Sequence, residues 1–204
     1  MNKINFKSAE FFTTVNDIIA LPSQSINEIA ICGRSNSGKS SLINTLTNKT
    51  RLAFTSKTPG RTQHINYFTV GDEGLFLVDL PGYGYAKVPE KIRKHWGVIL
   101  SKYLQERPQL SGLILIMDIR HPLKDSDYTM LNFFAATQKP IHIVLSKADK
   151  LNHQQKTQAL SLVRTSLSKE FNNCTVQLFS APKRQGIEEL ETVLTDWFNL
   201  DNIN

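Results

Sequence analysis

Residues 33–40 read GRSNSGKS and fit the pattern G-x-x-x-x-G-K-S/T. No other stretch constrains the fold so tightly, because the pattern works only where a strand ends and a helix begins. Both flanks comply: IAIC at 29–32 reads as a strand, and a helix is expected from about Lys39 to Leu46. Gly33 and Gly38 are expected to supply backbone angles that a side chain would block. The N–H groups of the loop Gly33, Arg34, Ser35, Asn36, Ser37 and Gly38 then cradle phosphate oxygens at a helix N-terminus. Lys39 places a point charge against the terminal phosphates, and Ser40 offers a hydroxyl to Mg2+.

Elsewhere short apolar runs alternate with segments of helical period. INYFTV (65–70) and LFLVDL (75–80), separated by Gly71-Asp72-Glu73-Gly74, read as an antiparallel hairpin. LILIMD (113–118) and IHIVLS (141–146) read as strands buried on both faces, and VQLF (176–179) as a last strand. Three helical faces stand out: Ile92, Trp96, Ile99, Tyr103 and Leu104; Leu160, Val163, Leu167 and Phe171; Ile187, Leu190, Val193, Leu194, Trp197 and Phe198. The expected architecture is α/β in three layers, a mostly parallel sheet covered on both sides and carrying one antiparallel hairpin. The 204 residues suit a single domain, with residues 1–22 as an N-terminal extension packed on it. Cys32 and Cys174 are far apart and lack metal-ligand spacing, so neither a disulfide scaffold nor a zinc site is expected. The start, MNKINFKSAEFF, has no apolar core with a cleavage site, and runs such as LILIM are too short to cross a bilayer. A cytoplasmic protein with no membrane span is expected.

Further motifs choose the nucleotide. SKAD (146–149) ends a strand, where open α/β sheets bind ligands. The Asp149 carboxylate can accept from N1–H and N2–H of guanine, a donor pair that adenine lacks. The stem of Lys147 can lie along the base plane, flanked by Ser146 and Ala148. Phe179, Ser180 and Ala181 follow the last strand, and the Ala181 N–H is expected at guanine O6. In Asp79-Leu80-Pro81-Gly82, Asp79 can hold Mg2+ through water and the Gly82 N–H can reach the γ-phosphate. The loop before the hairpin contains Gly60, Arg61, Thr62, Gln63 and His64. Thr62 is read as the second hydroxyl on Mg2+, which makes the loop a switch released on hydrolysis. Lys39, Thr62 and Gly82 form the expected catalytic set.

With these residues in place, the chain resembles the YihA/EngB/YsxC family of bacterial ribosome-assembly GTPases, within the TrmE-Era-EngA-EngB-septin-like superfamily. The resemblance runs from about Ser8 to Phe198, and GRSNSGKSSLIN, TSKTPGRTQHINYF, VDLPGYGYAKV and SKADKLN carry it. It implies a P-loop GTPase fold of six strands and five helices, Mg2+-dependent GTP binding and a role in late assembly of the large ribosomal subunit. It also implies a requirement in cell division and septation. Ser146 stands where the family more often has Thr, and Pro182 follows Ala181 in place of Lys or Ser.

Many GTPases orient the attacking water with a Gln after DxxG; here that residue is Tyr83. Slow intrinsic turnover, accelerated by a partner or by K+, is therefore expected. Asn36 occupies the position at which related potassium-dependent GTPases hold K+; the alternative is that it braces its own loop. Lys plus Arg exceed Asp plus Glu by 24 − 18 = 6. Lys49, Arg51, Lys57, Arg61, Lys87, Lys91, Arg93 and Lys94 crowd around the switches, which suits docking on ribosomal RNA. A monomer without a DNA partner is expected. The competing reading is a nucleotide-gated scaffold for cell-division proteins with negligible hydrolysis; a P-loop kinase has no use for SKAD.

Overall fold

In a computed structural model, which describes residues 4–53, 64–71, 74–83 and 90–200 and of 90–96 and 200 the backbone alone, seven strands form one sheet. They are β1 (Glu10–Val15), β2 (Asn27–Gly33), β3 (Ile65–Thr69), β4 (Leu75–Asp79), β5 (Leu110–Asp118), β6 (Ile141–Ser146) and β7 (Cys174–Leu178). Five helices flank them: α1 (Lys39–Leu46), α2 (Glu90–Glu106), α3 (Asp125–Ala135), α4 (His153–Ser168) and α5 (Ile187–Leu200). The strand order is β1-β3-β4-β2-β5-β6-β7. Only β3 runs against the rest, antiparallel to both β1 and β4.

The unbroken apolar runs are explained by two cores. Ile29 and Ile31 of β2 and Ile114 and Ile116 of β5 face one side, where α1 brings Leu42, Ile43 and Leu46 and α5 brings Leu190, Leu194, Trp197 and Phe198. Ala30, Cys32, Leu113, Leu115 and Met117 face the other, under Ile99, Tyr103 and Leu104 of α2, Leu131 and Phe134 of α3, and Val163 and Leu167 of α4. A strand covered on both faces has no polar side to alternate with. The side chains of Ile92 and Trp96 lie outside the described residues. Cys32 and Cys174 are free thiols, on strands separated by β5 and β6. Three strand spacings come to roughly 14 Å, far beyond disulfide reach.

Two elements differ from expectation. β1 adds a seventh strand where six were expected. It pairs along β3 from Glu10↔Thr69 to Val15↔Ile65, and its register shifts between Phe11 and Thr13. That irregularity breaks the period-two signal, and the strand is an edge with mostly exposed side chains. Phe11 meets Phe68 at 6.2 Å and Phe12 meets Phe76 at 5.2 Å between ring centroids, so both pack on the sheet although partly exposed. Helix α3 gave no periodic signal, because DSDYTMLNFFA opens on polar residues. Its start is set by Asp127, whose Oδ2 accepts the Lys124 N–H at 2.9 Å. Among the described residues no helix is long and apolar enough to cross a membrane.

At the end of the sheet away from the phosphate loop, Glu28 is fully buried. Its Oε2 accepts from Tyr103 at 2.8 Å and Tyr67 at 3.1 Å, and Oε1 from Arg107 at 2.6 Å (Nη2) and 3.0 Å (Nε). Burial, then the Glu28 charge, pushes both phenols up, so they remain donors. The carboxylate joins β2, β3 and α2. Glu28→Ala leaves two phenols without their acceptor and the Arg107 cation, which keeps the Pro22 carbonyl at 2.7 Å, without its counter-charge, and an expected loss of about 3–5 kcal/mol is measurable by urea unfolding.

Candidate functional site

The parallel strands β2, β4, β5, β6 and β7 end at one edge of the sheet, and the loops that follow them form the site. Gly38 sits at φ +103°, a conformation that opens α1 and that a side chain would strain. Gly33 is needed for a different reason: a Cβ there would lie 2.6 Å from the Ile116 carbonyl oxygen and 2.5 Å from Ser37 Oγ. The expected freedom of angle is thus found at Gly38, whereas at Gly33 the constraint is space. The loop closes with Ser37 N–H on the Arg34 carbonyl at 3.0 Å, and α1 begins with Leu42 N–H on the Gly38 carbonyl at 2.9 Å. The N–H groups of the first turn therefore face the loop. Lys39 Nζ pairs with Asp79 Oδ1, both nearly buried, so the cation of one motif meets the carboxylate of the other. Ser40 follows in the same turn.

Beyond Asp79 the chain runs on alongside the phosphate loop. Leu80 N–H donates to the Ile31 carbonyl at 3.0 Å, and Pro81 is buried. Past the half-buried Gly82, Tyr83 N–H donates to the Gly33 carbonyl at 3.3 Å and its carbonyl accepts from Ser35 N–H at 3.4 Å. The Tyr83 hydroxyl donates to Asp127 Oδ1 at 2.7 Å.

The loops that follow β6 and β7 are tied to the phosphate loop. Buried Ser146 donates its hydroxyl to the Ser37 carbonyl and lies 3.1 Å from that of Met117. Lys147 sits at φ +59° and Asn36 at φ +61°, both in the left-handed region, and Lys147 Nζ donates to the Asn36 carbonyl at 2.6 Å. The same ammonium reaches Asp118 Oδ2 at 2.9 Å, and Arg120 grips that carboxylate through Nε at 2.9 Å and Nη2 at 2.6 Å. Burial pushes the Asp118 carboxyl up, but the bonds from Arg120 and Lys147 outweigh it and hold it well below the usual range. Ala148 is buried, its N–H on the Phe179 carbonyl at 3.0 Å. Ser180 Oγ donates to Asp149 Oδ1 at 2.7 Å, and this bond is the main cause that lowers the Asp149 carboxyl. The carbonyl of half-buried Ala181 accepts from Arg184 N–H at 3.2 Å. Among the described residues the Ala181 N–H donates to no other group.

The structure thus gathers residues 33–40, 79–82, 146–149 and 179–181 at one edge. Gly60, Arg61, Thr62 and Gln63 lie outside the described residues, as do Lys57 and Lys87 and the side chains of Lys91, Arg93 and Lys94. His64 is half-buried just before β3. Asn44 of α1 grips Ala53 through both backbone groups, at 2.8 and 2.9 Å. Sequence reasoning missed Asp118, Arg120 and Asp127. A carboxylate ending the apolar run LILIMD was a usable signal for Asp118, at the strand end where ligands bind. Asp127 had none, because its partners are distant in the chain.

Residues 28–147 match the family described as 50S ribosome-binding GTPase. A probable GTP-binding protein EngB of Laribacter hongkongensis is 56% identical over 194 residues, covering 95% of this chain and 86% of that one. A protein of the same name from Neisseria meningitidis serogroup C / serotype 2a is 56% identical over 196 residues, covering 95% and 93%. The chain belongs to the EngB family of GTP-binding proteins. A crystal structure of a probable GTP-binding protein engB matches with a TM-score of 0.66 at 20% identity, over 84% of this chain and 98% of that one. A variant of Era from Aquifex aeolicus bound to GDP.AlF4- matches with a TM-score of 0.66 at 21%, over 84% and 56%. At such identities the two structures speak to the fold, which is that of the P-loop GTPases.

An EngB protein is a GTP-binding protein of a GTPase family, and the donor set suits the Mg2+ that typically accompanies the nucleotide. The Asp79 carboxylate and the Ser40 hydroxyl are hard oxygen donors on adjoining elements. Mg2+ is usually held by one or two carboxylates, with phosphates and water completing the shell. The Ser180→Ala variant removes the main cause that keeps the Asp149 carboxyl low. Its pKa, followed by NMR titration, is expected to rise toward the ordinary value. A depressed carboxyl favours the fold above its unfolded pKa and ceases to as pH falls through its folded one, so the stabilisation that the Ser180–Asp149 tie supplies is lost on acidification.

Proposed function

We propose that this chain is a Mg2+-dependent GTPase switch, slow on its own, that acts in late assembly of the large ribosomal subunit in the cytoplasm. The observation that carries the nucleotide part is the Ser146 hydroxyl on the Ser37 carbonyl, which joins a base-reading loop to a phosphate loop. On this reading the amides of residues 33–40 hold the phosphates, and Lys39 sets its charge at the terminal ones. Asp149 takes N1–H and N2–H of guanine, Lys147 lines the base, and the Ala181 N–H meets O6. Ser40, Thr62 and, through water, Asp79 would hold Mg2+, which when bound neutralises charge developing on the phosphates. The Gly82 N–H meets the γ-phosphate, and Thr62 links that phosphate to the loop.

Slow turnover is supported by Tyr83, whose hydroxyl is committed to Asp127 and so leaves no water-positioning group at the one described position after Gly82. Stimulation by a partner or by K+ beside Asn36 completes the site. Among the described residues the exposed Asn36 side chain makes no hydrogen bond, which argues against its bracing its own loop. The ribosomal part rests on the matched family's description and on the basic residues around the switches, of which Arg51 is exposed and Lys49 half-buried. A requirement in cell division and septation then follows through ribosome supply. The partner is the large subunit and its RNA, bound by a monomer.

The test is co-sedimentation with purified large subunits. Wild-type protein is expected to travel with them in a non-hydrolysable GTP analogue and not in GDP. The Asp149→Asn variant is expected to lose guanine affinity by on the order of a thousandfold and to co-sediment only with the xanthine analogue. No co-sedimentation in any nucleotide, with binding shown, would remove the ribosomal reading and move the division scaffold forward. Retained guanine preference in Asp149→Asn would overturn the base assignment.

A further inference from the structure

The residue after Gly82 is built into the phosphate site from three sides. Its N–H and carbonyl bond to Gly33 and Ser35, on either side of Arg34. These backbone bonds, at 3.3 and 3.4 Å, are at the long end of the useful range. The third bond is different. At 2.7 Å between a phenol and a carboxylate it is charge-assisted, a type roughly twice as strong as a neutral pair. Its acceptor, Asp127, is fully buried. Oδ2 of Asp127 is occupied by the Lys124 N–H at the start of α3, and Oδ1 also faces Arg34 Nε at 3.2 Å. That second approach is an ion pair without hydrogen-bond alignment. Arg34 Nη2 in turn donates to the His121 carbonyl at 2.6 Å. One buried carboxylate therefore holds the residue beyond Gly82, a side chain of the phosphate loop and the start of α3.

We propose that Tyr83 is a positioning residue: its bond to Asp127 sets the Gly82 N–H for the γ-phosphate, and the Arg34–Asp127 pair ties that setting to the phosphate loop. The inference rests on the reading of Gly82 given above. The strong side-chain bond dominates the two weak backbone ones, so the place of Tyr83, and with it that of the Gly82 N–H one residue before it in the chain, depends on the phenol. Burial, with Cys32 and Asp127 nearby, pushes the phenol up and keeps it a donor throughout the working pH range. A tie that served only folding would be indifferent to which nucleotide is bound, whereas this one acts on the group expected to tell GTP from GDP.

The experiment compares Tyr83→Phe with wild type, measuring affinity for GDP and for a non-hydrolysable GTP analogue, with thermal unfolding alongside. Phe keeps the ring and removes one hydroxyl. The expected result is an analogue-to-GDP affinity ratio lowered about tenfold with GDP binding nearly unchanged. Asp127→Asn is expected to shift the ratio the same way, and the double variant no further, because both remove one interaction. A wild-type ratio in both single variants, whatever their melting temperatures, would overturn the proposal and leave a purely structural tie. Wild-type protein that bound neither nucleotide would overturn the nucleotide reading, and this inference with it.

Discussion

Gly33 leaves β2 pressed against the Ile116 carbonyl of β5, with no room for a Cβ. The site depends on that contact. Because two backbones meet there, the loop turns tightly enough for Gly38 to open α1 over the strand ends, and Lys39 in the first turn falls on Asp79 at the end of β4. The sheet supplies the other half of the arrangement. β2 lies between β4 and β5, so the strand that delivers the phosphate loop is flanked by the strands that deliver Asp79 and Asp118. Any side chain at position 33 would push the loop off β5 and disturb both neighbours together.

The second half of the site is held by charge. Lys147 divides its ammonium between the Asn36 carbonyl and Asp118, and Asp118 is gripped again by Arg120. Burial opposes the Asp118 charge and the two cations outweigh it, so the carboxylate stays ionised. Its contribution to the fold is complete above the ordinary carboxylate pKa and fades only as strongly acidic pH is reached. The two non-glycine residues of the site in the left-handed region, Asn36 and Lys147, are joined by one of these bonds. Surroundings that over-determine them offset the backbone strain.

The legible parts were those whose physics is local. The phosphate loop, β2, the β3–β4 hairpin and the strand β6 that ends in SKAD each announce themselves by spacing or by unbroken apolar runs. β1 did not, because a register shift beside two consecutive phenylalanines hides a strand with one exposed edge. The roles of Asp127 and of Gly33 were hidden for another reason. One accepts from Tyr83, 44 positions away, and the other owes its identity to a carbonyl in β5. A sequence shows which residues can turn or ionise; it does not show what stands opposite them once the sheet has formed. At position 146 the family more often has Thr, and the structure gives the Ser hydroxyl a partner, the Ser37 carbonyl.

Charge pairing also limits how such a site, on the proposed reading, can switch without losing its fold. Lys39 and Asp79 are nearly buried and each is the other's counter-charge. A buried ion left alone costs several kcal/mol, so neither can be released unless another opposite charge replaces it. On the proposed reading a phosphate takes Lys39 and Mg2+ takes Asp79, and the exchange leaves no charge unpaired at any step. Around this exchangeable pair the frame is fixed: Ala53 by Asn44, Ile65 by its pairing with Val15, Tyr83 by Asp127. On that reading, what the nucleotide alters among the described residues is confined to the groups that meet its phosphates, and Gly82, one residue from the fixed Tyr83, is where frame and phosphate would adjoin.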